Sequence, residues 1–159
     1  MIVRRACNDD LSALTVLFNE YRQFYQIQSE PQIAYQYLKQ RLENQQSVIF
    51  IHIKDEQLTG FVVLYLGFSS IACKHFYILD DVYVRPQFRR QGSARQLIDT
   101  AILFARHNAA FKISLRTELN NVHSHRLYES MGFIRDNEYQ EYHYYLNPRP
   151  LNQITPNGL

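Results

Sequence analysis

The chain has 159 residues, 46% of them hydrophobic and 20% charged, with a net charge of +2. That length suits one domain with its own apolar core, and so small a charge does not by itself indicate a nucleic-acid partner. We expect a cytoplasmic protein that does not act at a membrane. The chain lacks a signal-peptide core and an apolar run of ~18 residues, and its two cysteines favour free thiols.

The first 42 residues predict a short strand followed by two helices. Residues 2–6 form the opening strand, and the polar residues 8–10 offer N-caps for the first helix. Apolar residues then recur at helical spacing: Leu11, Leu14, Leu17, Phe18, Tyr21, Phe24 and Tyr25. The second helix spans residues 29–42, with Pro31 close to its first helical position.

Three β runs follow, at residues 47–53, 60–68 and 75–84. The polar residues 54–59 between the first two runs predict a hairpin. The third run carries the acid pair Asp80 and Asp81, and Pro86 ends it.

The remaining residues predict a helix at 93–110, a strand at 111–117, a short helix from Asn121 to Gly132 and a last strand at 141–146. Residues 148–159 are rich in Pro and Asn and are expected to fray as a tail. The order β-α-α-β-β-β-α-β-α-β indicates one α/β (α+β) domain over residues 1–147, built around a mixed sheet.

A basic loop separates the third β run from the next helix. It contains Arg85, Arg89, Arg90 and Arg95, together with Gly92, one of only five glycines. A helix start offers unpaired N–H groups and a partial positive charge, and glycine lets the backbone approach a ligand closely. The loop therefore favours an anion site, although a solvated surface turn is the alternative that the loop alone leaves open.

Two motifs taken together identify a family. Residues 89–94, Arg-Arg-Gln-Gly-Ser-Ala, match the pattern R/Q-x-x-G-x-G/A, and Asn121, Tyr128, Gly132 and Phe133 match a second pattern about thirty residues later. With these motifs the chain resembles the GNAT superfamily of acyl-CoA-dependent N-acyltransferases over nearly its whole length. Two departures, Ala94 for the commoner glycine and Ser124 for the usual alanine, keep small side chains and leave the resemblance intact.

The resemblance implies a mostly antiparallel mixed sheet flanked by about four helices, with acetyl-CoA as acyl donor and no metal. Backbone N–H groups from Arg89 to Ala94 would hold the pyrophosphate, and the pantetheine arm would run beside the third β run. The implied cofactor-binding residues are Val82, Tyr83, Val84, Arg89, Arg90, Gln91, Gly92, Ser93, Ala94, Arg95 and Asn121. For Asn121, a helix N-cap is the alternative role.

Tyr128 is the candidate general acid, because a phenol of pKa about 10 can protonate the departing CoA thiolate. The acceptor amine must lose a proton, and the acid pair supplies candidate bases. Strand alternation places Asp80 and Asp81 on opposite faces, and we prefer Asp80 as the catalytic carboxylate. A β-bulge nearby would reverse that choice.

The acceptor side is expected between the first two helices and the strand hairpin. Candidate substrate-binding residues are Tyr21, Phe24, Tyr25 and Asp81, with Ser69 and Ser70; a core position is the alternative for the aromatic ones. The resemblance implies an N-acetyltransferase in which a primary amine, of a small molecule or a protein, attacks the thioester directly. The alternative is a non-catalytic acyl-CoA-binding sensor on the same fold. The aromatic last strand suggests a homodimer.

Overall fold

The computed structural model describes residues 1–146, which form five strands and four helices. The strands are β1 (Ile2–Arg5), β2 (Val48–Lys54), β3 (Gln57–Ser69), β4 (Lys74–Val84) and β5 (Ile113–Leu115). The helices are α1 (Leu11–Phe24), α2 (Pro31–Glu43), α3 (Ser93–His107) and α4 (Val122–Ser130). The sheet order is β1-β2-β3-β4-β5, with β1 to β4 antiparallel and β5 parallel to β4. The predicted fold class is confirmed.

Apolar cores fill both faces of the sheet. On one face, α1 and α2 bury side chains that include Leu14, Leu17 and Leu38 against Ile51 and Phe61. On the other face, α3 buries a stripe at helical spacing, Leu97, Ile98, Ala101 and Ala105, against the alternate residues of β3, Val62 and Leu64. Full burial of each large aliphatic side chain contributes about 1.5–3 kcal/mol, so these two stripes fix where the helices lie.

The hairpin between β2 and β3 is tighter than the predicted turn at residues 54–59. Its two turn residues, Asp55 and Glu56, both have positive φ, at 50° and 60°. Two left-handed residues in sequence are typical of the two-residue hairpin turn whose twist matches the strands. The hairpin itself is confirmed.

A β-bulge lies at Asp80 in β4. Asp81 pairs with Val63 of β3 while Leu79 pairs with Leu64, so Asp80 has no partner in the register. The extra residue reverses the alternation of the strand. Before it, Leu79 packs in the α3 core; after it, Tyr83 packs in the α1 core. The bulge therefore decides which face each carboxylate of the acid pair can reach.

The sheet opens between β4 and β5. The two strands pair only where residues 77–79 of β4 lie beside Ile113–Leu115, and beyond Leu79 β4 pairs with no other described strand on this side. We call this opening the β4–β5 cleft. The predicted strand at 111–117 is present but shorter, and its three residues are half-buried because they lie at the end of the sheet.

The predicted strand at residues 141–146 is wrong for the described part of the chain, where residues 133–146 contain neither strand nor helix. A strand needs a neighbour to pair its backbone groups, and none of the described strands pairs with this segment. Its aromatic residues are exposed, Tyr142 by 86% and Tyr144 by 90%. The predicted tail at 148–159 lies outside the described residues. Among those described, no helix has the length and hydropathy to cross a bilayer.

Candidate active site

The loop before α3 presents a run of unpaired backbone donors at one end of the β4–β5 cleft. The N–H groups from Arg90 to Arg95 donate to no acceptor within residues 1–146, and the first helical bond runs from the Gln96 N–H to the Gly92 carbonyl (3.0 Å). Arg90 and Gly92 are left-handed, with φ of 58° and 85°. Such turns aim successive N–H groups into one concavity, and the dipole of α3 adds positive potential there. The loop can therefore hold an anion.

Side chains around the loop hold this backbone in place. Lys54, at the end of β2, donates to Gln91 Oε1 (2.7 Å), and Gln91 Nε2 donates to the Gln87 carbonyl (3.0 Å). Ser93 is buried, and its hydroxyl donates to the Phe88 carbonyl (3.4 Å). Because these hydrogen bonds already fix the loop backbone, binding of an anion does not cost the conformational entropy of ordering its N–H groups.

The four arginines of the loop have different surroundings. Arg85 forms a two-pronged ion pair with Glu20 of α1 (2.7 and 2.8 Å), which ties the loop to the helix. Arg95 donates to Ser130 Oγ (2.6 Å) and thereby links α3 to α4. Arg89 and Arg90 are exposed, so they can provide charge to an anion on the loop.

The outer edge of β4 presents backbone groups to the cleft. The Arg85 N–H donates to the Thr59 carbonyl (2.9 Å), so Arg85 and, two residues earlier, Tyr83 direct their backbone groups to β3. Val82 and Val84, which alternate with these two residues, direct their backbone groups into the cleft. Consistent with this, the Val84 carbonyl accepts a bond from Arg89 Nε (2.8 Å). Of the predicted residues 82–84, the two valines are therefore the ones whose backbone faces the cleft.

Asp81 is the half-buried carboxylate of the acid pair. Tyr21 of α1 donates a short hydrogen bond to Asp81 Oδ1. Burial raises the pKa of Asp81 to about 6; the charge of Asp80 acts in the same direction, and the bond from Tyr21 opposes both. Asp80 itself is exposed on the bulge. A carboxyl group with a pKa near neutrality can exchange a proton at physiological pH.

Tyr25 connects Asp81 electrostatically with two further residues, Glu118 and Tyr128. Burial raises the pKa of Tyr25, and the charges of Glu118 and Asp81 add to that effect. Burial also raises the pKa of Tyr128, with a further contribution from Tyr25. Residues of α1, β4, α4 and the turn before α4 therefore form one electrostatically coupled group, which we call the carboxylate–tyrosine cluster: Tyr21, Tyr25, Asp81, Glu118 and Tyr128.

The end of α4 positions Tyr128. Gly132 has φ of 89°, its N–H donates to the Glu129 carbonyl, and the Phe133 N–H donates to the Tyr128 carbonyl, both at 3.0 Å. These are the two bonds of a Schellman cap, and the predicted closure of the helix at Gly132 is confirmed. The cap also brings the Phe133 ring against the Tyr128 ring, with centroids 5.7 Å apart.

The start of α4 gives Asn121 the alternative role considered for it. Its side-chain oxygen accepts a hydrogen bond from the Ser124 N–H (3.2 Å), as a helix N-cap does. Asn121 is exposed. Its part in binding a cofactor stays a prediction.

Two of the sequence-derived acceptor residues lie away from the carboxylate–tyrosine cluster. Ser69 and Ser70 are at the turn between β3 and β4, and Ser69 is six residues along β3 from Val63, the partner of Asp81. At ~3.3 Å per residue this separation is about 20 Å. Phe24 lies between the cluster and the loop: its ring centroid is 5.4 Å from that of Tyr25 and 5.1 Å from the Arg89 guanidinium.

Glu118 is the member of the cluster that the sequence analysis missed. It lies three residues after β5, at the end where β4 and β5 separate, and the side chain is partly buried. Ligands often lie beyond the carboxyl ends of parallel strands, so a carboxylate in this position was the available signal.

Comparison with known proteins gives consistent matches. Residues 14–133 match the acetyltransferase (GNAT) family. A Bacillus subtilis protein named uncharacterized N-acetyltransferase YhfO is 40% identical over 147 residues, covering 92% of this chain and 97% of the relative. A crystal structure of a probable acetyltransferase superposes with a TM-score of 0.87 at 36% identity, covering 92% and 99% of the two chains. The thialysine N-epsilon-acetyltransferase of Caenorhabditis elegans is 25% identical over 126 residues, covering 79% and 78%.

Proposed function

This chain belongs to the GNAT family of acetyltransferases, and from that premise we propose that it transfers the acetyl group of acetyl-CoA to a primary amine by direct attack in a ternary complex. The family membership confirms the resemblance identified in the sequence. The observation that carries the proposal is the run of unpaired N–H groups from Arg90 to Arg95 beside an open strand edge. An anion site next to an open strand edge suits a long ligand with an anionic end.

The loop residues fit the pyrophosphate of acetyl-CoA. Backbone N–H groups at a helix start bind phosphate oxygens without a specific side chain, and the fixed loop supplies several in sequence. Arg90 and Arg89 add charge-assisted bonds to phosphate oxygens. Of the cofactor residues expected from the sequence, residues 90–94 are retained in the proposal for their N–H groups. Arg89 is retained for its side chain only, because its N–H donates to the Pro86 carbonyl (3.2 Å).

The strand edge fits the amide groups of the pantetheine arm. Val82 and Val84 direct backbone groups into the β4–β5 cleft, and an extended chain of amides can pair with such an edge as a strand would. The same N–H groups are the candidates to stabilise the oxyanion that forms when the amine attacks the thioester carbonyl. Tyr83 contributes by packing, since its backbone pairs with β3.

The acceptor must lose a proton, because an amine of pKa about 10.4 is mostly charged at neutral pH. Asp81 supports this role better than Asp80, since it is half-buried, has a pKa of about 6, and accepts a hydrogen bond from Tyr21 of the cluster. The preference for Asp80 derived from the sequence stays a prediction, and the two carboxylates are separated experimentally below. Asp81 takes the ammonium proton directly or through water.

Tyr128 completes the chemistry as the general acid. When the nitrogen–carbon bond forms and the carbon–sulfur bond breaks, the departing thiolate takes the phenol proton. The raised pKa keeps Tyr128 protonated over the whole physiological range, so the donor is always loaded. The thialysine enzyme, a relative named for acetylation of a side-chain amine, supports a primary amine as acceptor.

We expect Tyr128→Phe to lower kcat for amine acetylation by about 10²-fold or more, the usual contribution of a general acid. Phenylalanine keeps the ring contact with Phe133, so the affinity for acetyl-CoA and the melting temperature should stay unchanged. Thiol release measures kcat, and calorimetry measures affinity.

Tyr139→Phe is the matched control, because it removes the same hydroxyl group from a tyrosine that is 80% exposed. An unchanged kcat in Tyr128→Phe would exclude the acid role.

A further inference from the structure

Glu118 carries a buried oxygen that nothing in the described chain satisfies. Its Oε1 atom is inaccessible to solvent and has no hydrogen-bond partner within residues 1–146. Buried carboxylate oxygens in proteins are almost always paired with a donor, so this one points to a donor from outside the chain. The donor is either a water molecule or a group of the acceptor substrate.

The main chain holds Glu118 in a defined place. Its carbonyl accepts bonds from the Asn121 N–H (3.1 Å) and from His125 Nε2 (2.9 Å), both at the start of α4. From this turn the carboxylate acts on Tyr25 of α1 and helps to raise the pKa of that tyrosine. Asp81 of β4 acts on the same tyrosine, so Tyr25, at the end of α1, is near both carboxylates.

No cation of the described residues neutralises Glu118. The ion pairs of residues 1–146 do not include it. Arg89, a cation beside the α1 aromatics, is held by the Val84 carbonyl and lies over the rings of Phe24 and Tyr83. The acceptor side of the cleft thus combines two carboxylates on different elements with aromatic side chains, which also favour cations.

We propose that Glu118 is a specificity residue that binds a second, non-reacting ammonium group of the acceptor, so that this enzyme prefers primary amines that carry a second positive charge. A carboxylate paired with the reacting amine would hold it protonated and unreactive. Asp81 and Glu118 therefore serve different nitrogens: Asp81 takes the proton of the reacting one, and Glu118 anchors the other. This inference rests on the function proposed above.

Chain-matched acceptors test the proposal. Wild type and Glu118→Gln are assayed for acetylation of n-alkylamines and of the α,ω-diamines with the same number of carbons, from two to six. We expect wild type to favour the best diamine over its monoamine by at least tenfold in kcat/KM. Glu118→Gln should lose most of that preference, and the loss should appear as a higher KM for the diamine.

Two controls separate this role from a structural one. Glu129→Gln removes the same charge from an exposed position of α4 and should keep the diamine preference. The affinity of Glu118→Gln for acetyl-CoA and its melting temperature should match those of wild type.

Different failures identify different errors. If wild type acetylates none of these amines and no lysine derivative, the proposed function and this inference fall together. If wild type acetylates monoamines and diamines equally well, or Glu118→Gln keeps the preference, Glu118 pairs with water and the inference alone falls. A loss of acetyl-CoA affinity in Glu118→Gln would also overturn it.

Discussion

Asp81→Asn should lower kcat/KM for amine acetylation by about 10²–10⁴-fold, the range of a general base. Asparagine has the same shape, and its carbonyl oxygen can still accept the hydrogen bond from Tyr21. It cannot take a proton from the acceptor. The loss should therefore appear in kcat/KM for the amine, while the affinity for acetyl-CoA is retained.

The same substitution should stabilise the fold at alkaline pH. Burial raises the pKa of Asp81 from 3.8 to about 6, so the protonated form is the one the fold favours. Its contribution to the free energy of unfolding is complete below pH 4 and is lost as the pH rises through 6. At pH 8, Asp81→Asn should be more stable than wild type by at most about 3 kcal/mol. Denaturant unfolding of both proteins at pH 8 and at pH 4 measures this difference.

The pH profile and the neighbouring carboxylate provide the controls. Wild-type kcat/KM should fall about tenfold per unit below pH 6, because only the ionised Asp81 is a base. Asp80→Asn, which removes a charge one residue away on the exposed bulge, should stay within a few-fold of wild type. If Asp80→Asn is inactive and Asp81→Asn is active, the assignment of the base to Asp81 is wrong and the sequence-derived choice is right.

Gly92→Glu should weaken acetyl-CoA binding by at least about a hundredfold, equivalent to ~2.7 kcal/mol. A side chain at Gly92 would point into open space, since no atom beyond its chain neighbours lies within 4 Å of the position that a Cβ would take. Gly92 itself belongs to the run of N–H groups from Arg90 to Arg95. A carboxylate on this residue would therefore repel phosphate from the anion site. Isothermal titration with acetyl-CoA measures the effect.

Two variants separate charge from backbone strain. Gly92→Gln has the same shape as Gly92→Glu without the charge, and Gly92→Ala tests the strain of a non-glycine residue at φ of 85°. We expect Gly92→Ala to bind nearly as well as wild type and Gly92→Gln to lie between it and Gly92→Glu. Wild-type affinity in Gly92→Glu would mean that the loop is not the phosphate site.

Most helices and strands could be predicted because their side chains repeat the geometry of the core. The stripe of apolar residues in α3 recurs every three or four positions, and the same residues are buried in the structure. Helix ends were predictable where the backbone conformation favours one residue type. Examples are Pro31, whose fixed φ suits the start of α2, and Gly132, which has a positive φ after α4.

The bulge at Asp80 could not be derived from its own strand. It depends on how β3 pairs with β4, since the adjacent residues Val63 and Leu64 pair with Asp81 and Leu79 and leave the residue between these two unpaired. Two adjacent aspartates offer no local signal of which one is unpaired, so alternation alone could not decide which carboxylate is the less exposed one. The error at residues 141–146 has a related cause, because aromatic alternation indicates a strand only when another strand is available to pair with it.

The most direct test of the account is to incubate the purified protein with acetyl-CoA and a panel of mono-, di- and polyamines and lysine derivatives, and to quantify free CoA and acetylated amine by mass spectrometry. We predict amine-dependent release of CoA, with one acetylated amine formed for each CoA released. Tight binding of acetyl-CoA without any acetylated amine would contradict the proposed activity and favour a non-catalytic acyl-CoA-binding sensor on this fold.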